Sequence, residues 1–83
     1  MKTEFDPIKD AANIQKHGIS LARAVEMNVL AVVEDDRFDE PRFRAYGTID
    51  GEAFCLAFTL RDDVTRVISL RRAHLKETRR YVP

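Results

Sequence analysis

The chain has 83 residues, of which 45% are hydrophobic and 34% are charged, and its 14 basic and 14 acidic residues leave a formal net charge of zero. This composition is typical of a folded globular protein rather than a disordered chain, and the length favours one domain over residues 1–83. The single cysteine excludes an internal disulfide, and no run approaches the roughly 18 apolar residues of a membrane-spanning helix. The first residues also lack the apolar stretch of a secretory signal, so we expect a cytoplasmic protein.

The charge is unevenly distributed along the chain. Residues 1–40 hold five Lys/Arg and nine Asp/Glu, whereas residues 41–83 hold nine Lys/Arg and five Asp/Glu. Such an asymmetry indicates a surface that faces a polyanion, and a solvated surface with ordinary salt bridges is the alternative explanation.

Two helices are predicted near the N-terminus. Asp6 followed by Pro7 is a helix start, because Asp caps free N–H groups and Pro is favoured at the first helical position. Gly18 is a suitable stop, so residues 7–17 are predicted to be helical. Ser20 is predicted to cap a second helix that ends near Met27 or Asn28, which would give a tight helical hairpin.

Four strands and a last helix are predicted after this hairpin. Residues 30–33 form a short apolar run, residues 34–41 are acidic and loop-like, and apolar residues alternate with polar ones from Arg42. Asp50-Gly51 is a strong signal for a two-residue hairpin turn. The remaining predicted elements are strands over residues 53–60 and 65–70 and a helix over residues 73–81. Consecutive strands joined by short turns predict an α+β protein with a four-stranded antiparallel sheet, two N-terminal helices and a C-terminal helix.

The sequence contains few of the patterns that hold metals or cofactors. No cysteine and histidine grouping has the spacing of a structural zinc site, and neither His17 nor His74 has the histidine partner of a zinc-binding helix. Three glycines make a phosphate-binding loop improbable, and Cys55 in an apolar strand is typical of a buried structural thiol. We therefore expect no metal and no cofactor.

A basic cluster follows the last predicted strand. Arginine suits phosphate because its planar fork donates two parallel hydrogen bonds. Arg61 and Arg66 flank the preceding turn. The aromatic residues interleaved with these cations are candidates for base stacking, although the phenylalanines are more typical of a core. The cluster contains Arg71, Arg72, Lys76, Arg79 and Arg80, and the aromatics are Tyr46, Phe54, Phe58 and Tyr81.

Histidine, glutamate and tyrosine side chains are the candidates for acid–base chemistry. His74, Glu77 and Tyr81 share one face of the last helix. This polar face with an aromatic residue suits a functional site, and the alternative is that Tyr81 lies on the sheet with its hydroxyl in water. His17 changes charge near neutral pH and is suited to proton transfer, but a histidine at a helix C-terminus also favours the helix dipole. Lys16 is open to the same two interpretations.

Four blocks of the sequence resemble the BrnT toxin family. The first is Phe5-Asp6 with the later Lys16-His17-Gly18-Ile19-Ser20, and the second runs through Asp36-Arg37, Glu40, Arg42-Phe43 and Gly47. The third is Phe58-Thr59-Leu60-Arg61, and the fourth is Arg66 to Ala73 followed by Glu77 and Tyr81. Together these blocks extend from residue 5 to residue 81.

The resemblance implies a RelE-like fold and a toxin of a type II toxin–antitoxin system. It also implies a BrnA-like antitoxin that neutralises the toxin and carries the DNA-binding part, and endoribonucleolytic cleavage that lowers translation. A toxin homodimer and a heterotetramer with the antitoxin are both open. Two other functions use a similar scaffold: a non-enzymatic module that acts as a co-repressor with its antitoxin, and a ParE-like toxin that binds a topoisomerase.

For RNA cleavage we expect a metal-independent attack of the 2′-hydroxyl on the adjacent phosphorus, which needs a base, an acid and cations. The predicted cations are Arg61 and Arg71, which would converge from separate strands on one phosphate beside the last helix. The acid and base are expected among His17, Glu77 and Tyr81. The predicted RNA-binding residues are Lys16, Arg66, Arg72, Lys76 and Arg79.

Overall fold

The computed structural model describes residues 2–83. In chain order its elements are β1 (Thr3–Glu4), α1 (Pro7–His17), a 3₁₀ helix (Leu21–Glu26), β2 (Asn28–Asp35), β3 (Arg42–Ile49), β4 (Glu52–Arg61), β5 (Val64–Arg72) and α2 (Leu75–Tyr81). No helix among these residues is both long and apolar enough to span a membrane.

The sheet has five strands in the order β1-β5-β4-β3-β2, so the prediction of a four-stranded antiparallel sheet is wrong. Strands β2 to β5 form the expected antiparallel meander, but β1 pairs with β5 in parallel through Thr3 opposite Thr65 and Glu4 opposite Arg66. Two residues are too few to show an alternating pattern, and their pairing joins segments about sixty residues apart in the chain. The α+β class holds, with a mixed sheet.

The prediction of two N-terminal α-helices is also wrong, because the second segment is a 3₁₀ helix over Leu21–Glu26. Ser20 caps it as predicted, and its hydroxyl accepts a hydrogen bond from Ala22 N–H at 3.1 Å. The segment ends with Met27 N–H donating to Ala24 C=O, and β2 begins at the next residue, earlier than predicted. Six residues complete fewer than two α-helical turns, and short connectors of this kind commonly adopt the tighter helix.

Helix α1 has the predicted bounds because both of its ends are encoded locally. Asp6 accepts a hydrogen bond from Ile8 N–H at 2.8 Å, Pro7 occupies the first turn, and Gly18 adopts a φ of 73° after the last turn. Asn13 then ties the helix to the sheet. Its buried amide donates to Ile19 C=O at 2.9 Å and to Leu70 C=O at 2.8 Å, and it accepts from Leu70 N–H at 3.1 Å.

The two hairpin turns of the meander both use positive φ angles. Asp50 and Gly51 have φ angles of 52° and 77°, as the Asp-Gly signal predicts. Asp62 and Asp63 adopt φ angles of 51° and 65° without a glycine. Asp tolerates this region better than most residues, so the second turn forms with the same geometry at some cost in strain.

The two faces of the sheet differ in what covers them. Helix α1 and the 3₁₀ helix pack on one face, where the core includes Leu21, Leu56, Val67 and Leu70. Helix α2 contacts β3 on the opposite face, which we call the open face. Strand β5 extends to Arg72, two residues beyond the predicted end, and its alternation places neighbouring side chains on opposite faces.

Candidate functional site

The strongest polar cluster on the open face is an ion pair between β5 and α2. Arg71 donates to both carboxylate oxygens of Glu77, with Nη1 2.8 Å from Oε1 and Nη2 3.1 Å from Oε2. The two side chains are 24% and 15% exposed, so the pair is largely shielded from water. His74 N–H also donates to Glu77 Oε1 at 2.8 Å, which fixes the carboxylate at the start of α2.

Two tyrosines complete this cluster from the next elements. Tyr46 projects from β3, the residue is 1% exposed, and its hydroxyl donates to Glu77 Oε2 at 2.8 Å. The Tyr81 ring of α2 stacks on it with 4.4 Å between centroids and 13° between planes. This stack holds the last turn of α2 against the sheet, so Glu77 stays above Arg71.

The cluster has a well-defined protonation state. The Arg71 guanidinium hydrogen bonds lower the pKa of Glu77 to about 2, and the His74 and Tyr46 donors act in the same direction. Burial, with the hydrogen bond to Glu77, raises the pKa of Tyr46. Glu77 is therefore a carboxylate and Tyr46 a neutral phenol at neutral pH.

Basic side chains surround the carboxylate. Arg44 Nη1 of β3 lies 3.9 Å from Glu77 Oε2. Lys76 and Arg80 line the same groove as Tyr46, Glu77 and Tyr81. The groove therefore presents cations that the carboxylate offsets only in part, which suits a phosphate.

His17 and Lys16 lie at the end of α1, the helix that packs on the face of the sheet opposite the open face, and His17 is close enough to Arg71 for that positive charge to affect its pKa. They line a shallow cavity with Ser69 of β5, and Ser69 also lines a second cavity that contains Arg71. Burial lowers the pKa of His17, and the positive charges of Lys16 and Arg71 lower it further. The neutral imidazole, which can accept a proton, is therefore favoured at neutral pH.

The structure does not bring Arg61 together with Arg71. Arg61 pairs with Val64 at the β4–β5 turn, whereas Arg71 pairs with Cys55 seven residues further along β5, so roughly 23 Å of strand separates the two arginines. Arg61 is 60% exposed and lies 3.6 Å from Glu40. The expected convergence of these two guanidinium groups on one phosphate is absent.

The other predicted RNA-binding residues divide between the two faces and the edge. Lys76 lines the groove, and Lys16 lies next to His17. Arg72 forms an ion pair with Glu52 at 2.6 Å and lies 5.8 Å above the Phe54 ring, on the face opposite Arg71. Arg66 is paired with Glu4 at 3.1 Å near the β1 edge, and Arg79 is exposed on α2.

Arg44 is the functional candidate that sequence reasoning missed, and Tyr46, named only as an aromatic for base stacking, has a hydrogen bond to Glu77 that was not foreseen. The alternation of β3 already placed both on the face opposite Phe43 and Ala45. Arg44 lies on an interior strand, where a charged residue is uncommon, and that position was the signal that could have identified it as a candidate. The register Tyr46↔Cys55↔Arg71, which aligns three strands, is not readable from the sequence.

Residues 2–83 contain no group of three or more His, Cys, Asp or Glu side chains that could hold a metal ion. Cys55 lies buried beneath the cluster, and burial raises the pKa of its thiol. It is therefore a packing residue rather than a reactive thiolate.

Comparison with known proteins identifies the family of the chain. The family model described as "Ribonuclease toxin, BrnT, of type II toxin-antitoxin system" matches residues 5–77. The crystal structure of the Brucella abortus ribonuclease toxin BrnT is 28% identical to the chain, covers 89% of it and 97% of its own length, and superposes with a TM-score of 0.70. No curated protein sequence matches the chain. The chain belongs to the BrnT family of ribonuclease toxins of type II toxin–antitoxin systems.

Proposed function

We propose that this chain is a single-domain, metal-independent endoribonuclease that inhibits translation by cutting RNA at the cluster of Arg71, Glu77, Tyr46 and Tyr81. The observation that supports the proposal most directly is the partly buried Arg71–Glu77 ion pair on the open face, surrounded by Arg44, Lys76 and Arg80. The paired carboxylate aims the Arg71 guanidinium, while the surrounding cations attract the phosphate backbone.

The proposed reaction is an internal transfer at phosphorus. The 2′-oxygen attacks the adjacent phosphorus, the bond from phosphorus to the 5′-oxygen breaks, and the products are a 2′,3′-cyclic phosphate and a 5′-hydroxyl. Arg71 and Arg44 stabilise the negative charge that develops on the phosphoryl oxygens.

The protonation states favour one division of the acid and base roles. His17 is the proposed base, because its lowered pKa keeps the imidazole neutral and ready to take the 2′-hydroxyl proton. Glu77, with a pKa of about 2, is a weak base and is proposed as a positioning residue for Arg71. The Tyr81 hydroxyl is the proposed proton donor to the 5′-oxygen.

An antitoxin is expected from the family, and we propose a BrnA-like protein that places an acidic segment over this basic groove. Such a segment would neutralise the toxin by occupying the phosphate site. Charge complementarity between a cationic groove and acidic side chains supports this arrangement.

Neighbouring arginines provide a matched test of the proposed site. With total RNA and EDTA, we expect the purified chain to cut RNA, and Arg71→Ala to slow cleavage by about 100-fold or more, as when one stabilising donor is removed from an active site. Arg72→Ala, on the opposite face, should slow cleavage only a few-fold.

The proposed acid and base can be tested in the same assay. His17→Ala and Tyr81→Phe should each slow cleavage by about 100-fold, the scale of general acid–base catalysis. Mapping of the cleaved ends should give a cyclic phosphate.

Arg71→Ala leaves Glu77 without its partner, so Arg71→Lys is the companion variant, and thermal melts report whether each variant is folded. Folded Arg71 variants with wild-type cleavage would contradict the proposed site. Intact RNA after incubation with the wild-type chain would contradict the proposed activity.

A further inference from the structure

The open face carries a second cavity beside the proposed cleavage site. Four arginines line it, together with Phe38 and the buried Asp35. Arg44 lines both this cavity and the groove that Tyr46, Glu77 and Tyr81 line, so the two are adjacent on the open face. The arginines of the second cavity are Arg37, Arg42, Arg44 and Arg71.

An exposed aromatic ring forms one end of this cavity. Phe38 lies in the connection between β2 and β3 and is 41% exposed. The Arg42 guanidinium carbon lies 3.7 Å from its ring centroid, and that of Arg37 lies 5.6 Å away. Arg37 is held by Asp35 through two hydrogen bonds of 2.8 and 2.7 Å. The loop thus presents a ring flanked by cations, a combination on which unpaired bases stack.

Two arginines connect the ring to the cleavage site. Arg42 and Arg44 are alternate residues of β3, so they project from the same face about 6.6 Å apart. This spacing is comparable with that between successive phosphates of an extended strand.

The hydrogen-bonding capacity of these two arginines is underused. Among the described residues, the Nε of each is shielded from solvent and has no hydrogen-bond acceptor. Their ion pairs are long: Arg42 lies 3.4 Å from Glu40, and Arg44 lies 3.9 Å from both Asp35 and Glu77. Unsatisfied buried donors are costly, so an acceptor that reached these atoms would be favoured.

We infer that single-stranded RNA crosses the open face from Arg71 to Phe38, with a neighbouring phosphate on Arg42 and Arg44 and an unpaired base stacked on Phe38. The inference rests on the proposed function and adds a nucleotide-binding subsite to it. A duplex does not fit this description, because its bases are already stacked and paired.

Binding of uncleavable RNA tests the subsite separately from catalysis. Fluorescence anisotropy with 2′-O-methyl oligoribonucleotides should show a hexanucleotide bound at least 10-fold more tightly than a dinucleotide. Phe38→Ala should remove most of that gain and leave dinucleotide affinity unchanged, because only the longer strand reaches the ring. Phe38→Trp should restore the gain, which a merely structural role of the loop would not explain.

Arg42→Ala should reduce hexanucleotide affinity by about 10-fold. Arg23→Ala is the matched control, because Arg23 is paired with Glu26 and Asp50 away from the cavity and its removal should leave the affinity unchanged. A duplex of the same length should show no Phe38 dependence.

Equal affinity for the two lengths, or equal loss of both in Phe38→Ala, would overturn the inference. So would binding of an acidic peptide at the cavity with no binding of the hexanucleotide, which would make the surface a protein-docking site. Length-dependent binding with no cleavage of natural RNA would instead refute only the proposed activity.

Discussion

Glu77 is the residue on which the candidate site depends for both geometry and stability. Its folded pKa of about 2 lies below its ordinary value of 4.5, so its carboxylate contributes stability fully above about pH 4.5 and loses that contribution as the pH falls towards 2. We expect Glu77→Gln to lower the free energy of unfolding at pH 7 by on the order of 2 kcal/mol, and the difference from wild type to shrink between pH 4.5 and 2. Urea titrations across this range measure the effect.

The control for this prediction is Glu52→Gln, which removes the carboxylate of an exposed ion pair with Arg72. Exposed pairs contribute little because solvent screens them, so we expect a smaller change at pH 7. A Glu77→Gln deficit that persists unchanged to pH 2 would show that packing, rather than the ionised carboxylate, explains the loss.

For individual residues, the sequence identified candidate side chains of the site better than it identified the residues that they contact. Glu77 and Tyr81 could be identified because a helical period of 3.6 places them on one face. The partner of Glu77 depends on which residues of β3 and β5 lie opposite each other, and that register is set by long-range pairing. The same limitation explains the wrong expectation for Arg61. Arg61 lies at the end of β4 opposite Val64 at the start of β5, whereas Arg71 lies near the other end of β5.

Among the elements, those encoded by local signals and the meander of consecutive strands were predicted, whereas the long-range pairing of β1 with β5 was not. Asp6, Pro7 and Gly18 fix both ends of α1, and Asp50-Gly51 fixes a hairpin. Strand β1 exists only because β5 offers it an edge. The short 3₁₀ segment is limited by the start of β2 rather than by its own composition.

The attachment of α1 to β5 is the element-level contact that positions His17 beside the sheet. Asn13 makes three buried hydrogen bonds that join the helix, Ile19 and Leu70. Asn13→Ala would leave three buried backbone groups without this partner, and we expect a loss of about 3 kcal/mol or more in the free energy of unfolding, since each unsatisfied group costs about 1–3 kcal/mol. Chemical denaturation measures this loss. Gln15→Ala, on the exposed side of the same helix, should be close to neutral; a similar loss in both variants would contradict the assigned role of Asn13.

Considered as a whole, the molecule uses its acidic N-terminal half largely for internal structure. Asp6 caps α1, and Asp10 binds Ser20 Oγ at 2.9 Å and Leu21 N–H at 2.7 Å. Glu4 pairs with Arg66. These carboxylates are committed to caps and ion pairs, while Arg42 and Arg44 face an open groove. A net charge of zero therefore understates the local attraction for RNA, which a count of charges along the sequence cannot show.

This distribution predicts a modest salt dependence that can be assigned to individual residues. Each phosphate neutralised on a single strand contributes about −0.7 to the slope of log affinity against log salt concentration, so about three contacts at Arg42, Arg44 and Arg71 give a slope near −2. Anisotropy titrations of the 2′-O-methyl hexanucleotide from low to moderate salt measure it. Arg42→Ala and Arg44→Ala should each make the slope less negative by about 0.7, whereas Arg23→Ala should not change it. Unchanged slopes in both groove variants would mean that neither arginine meets a phosphate, whatever their effect on affinity.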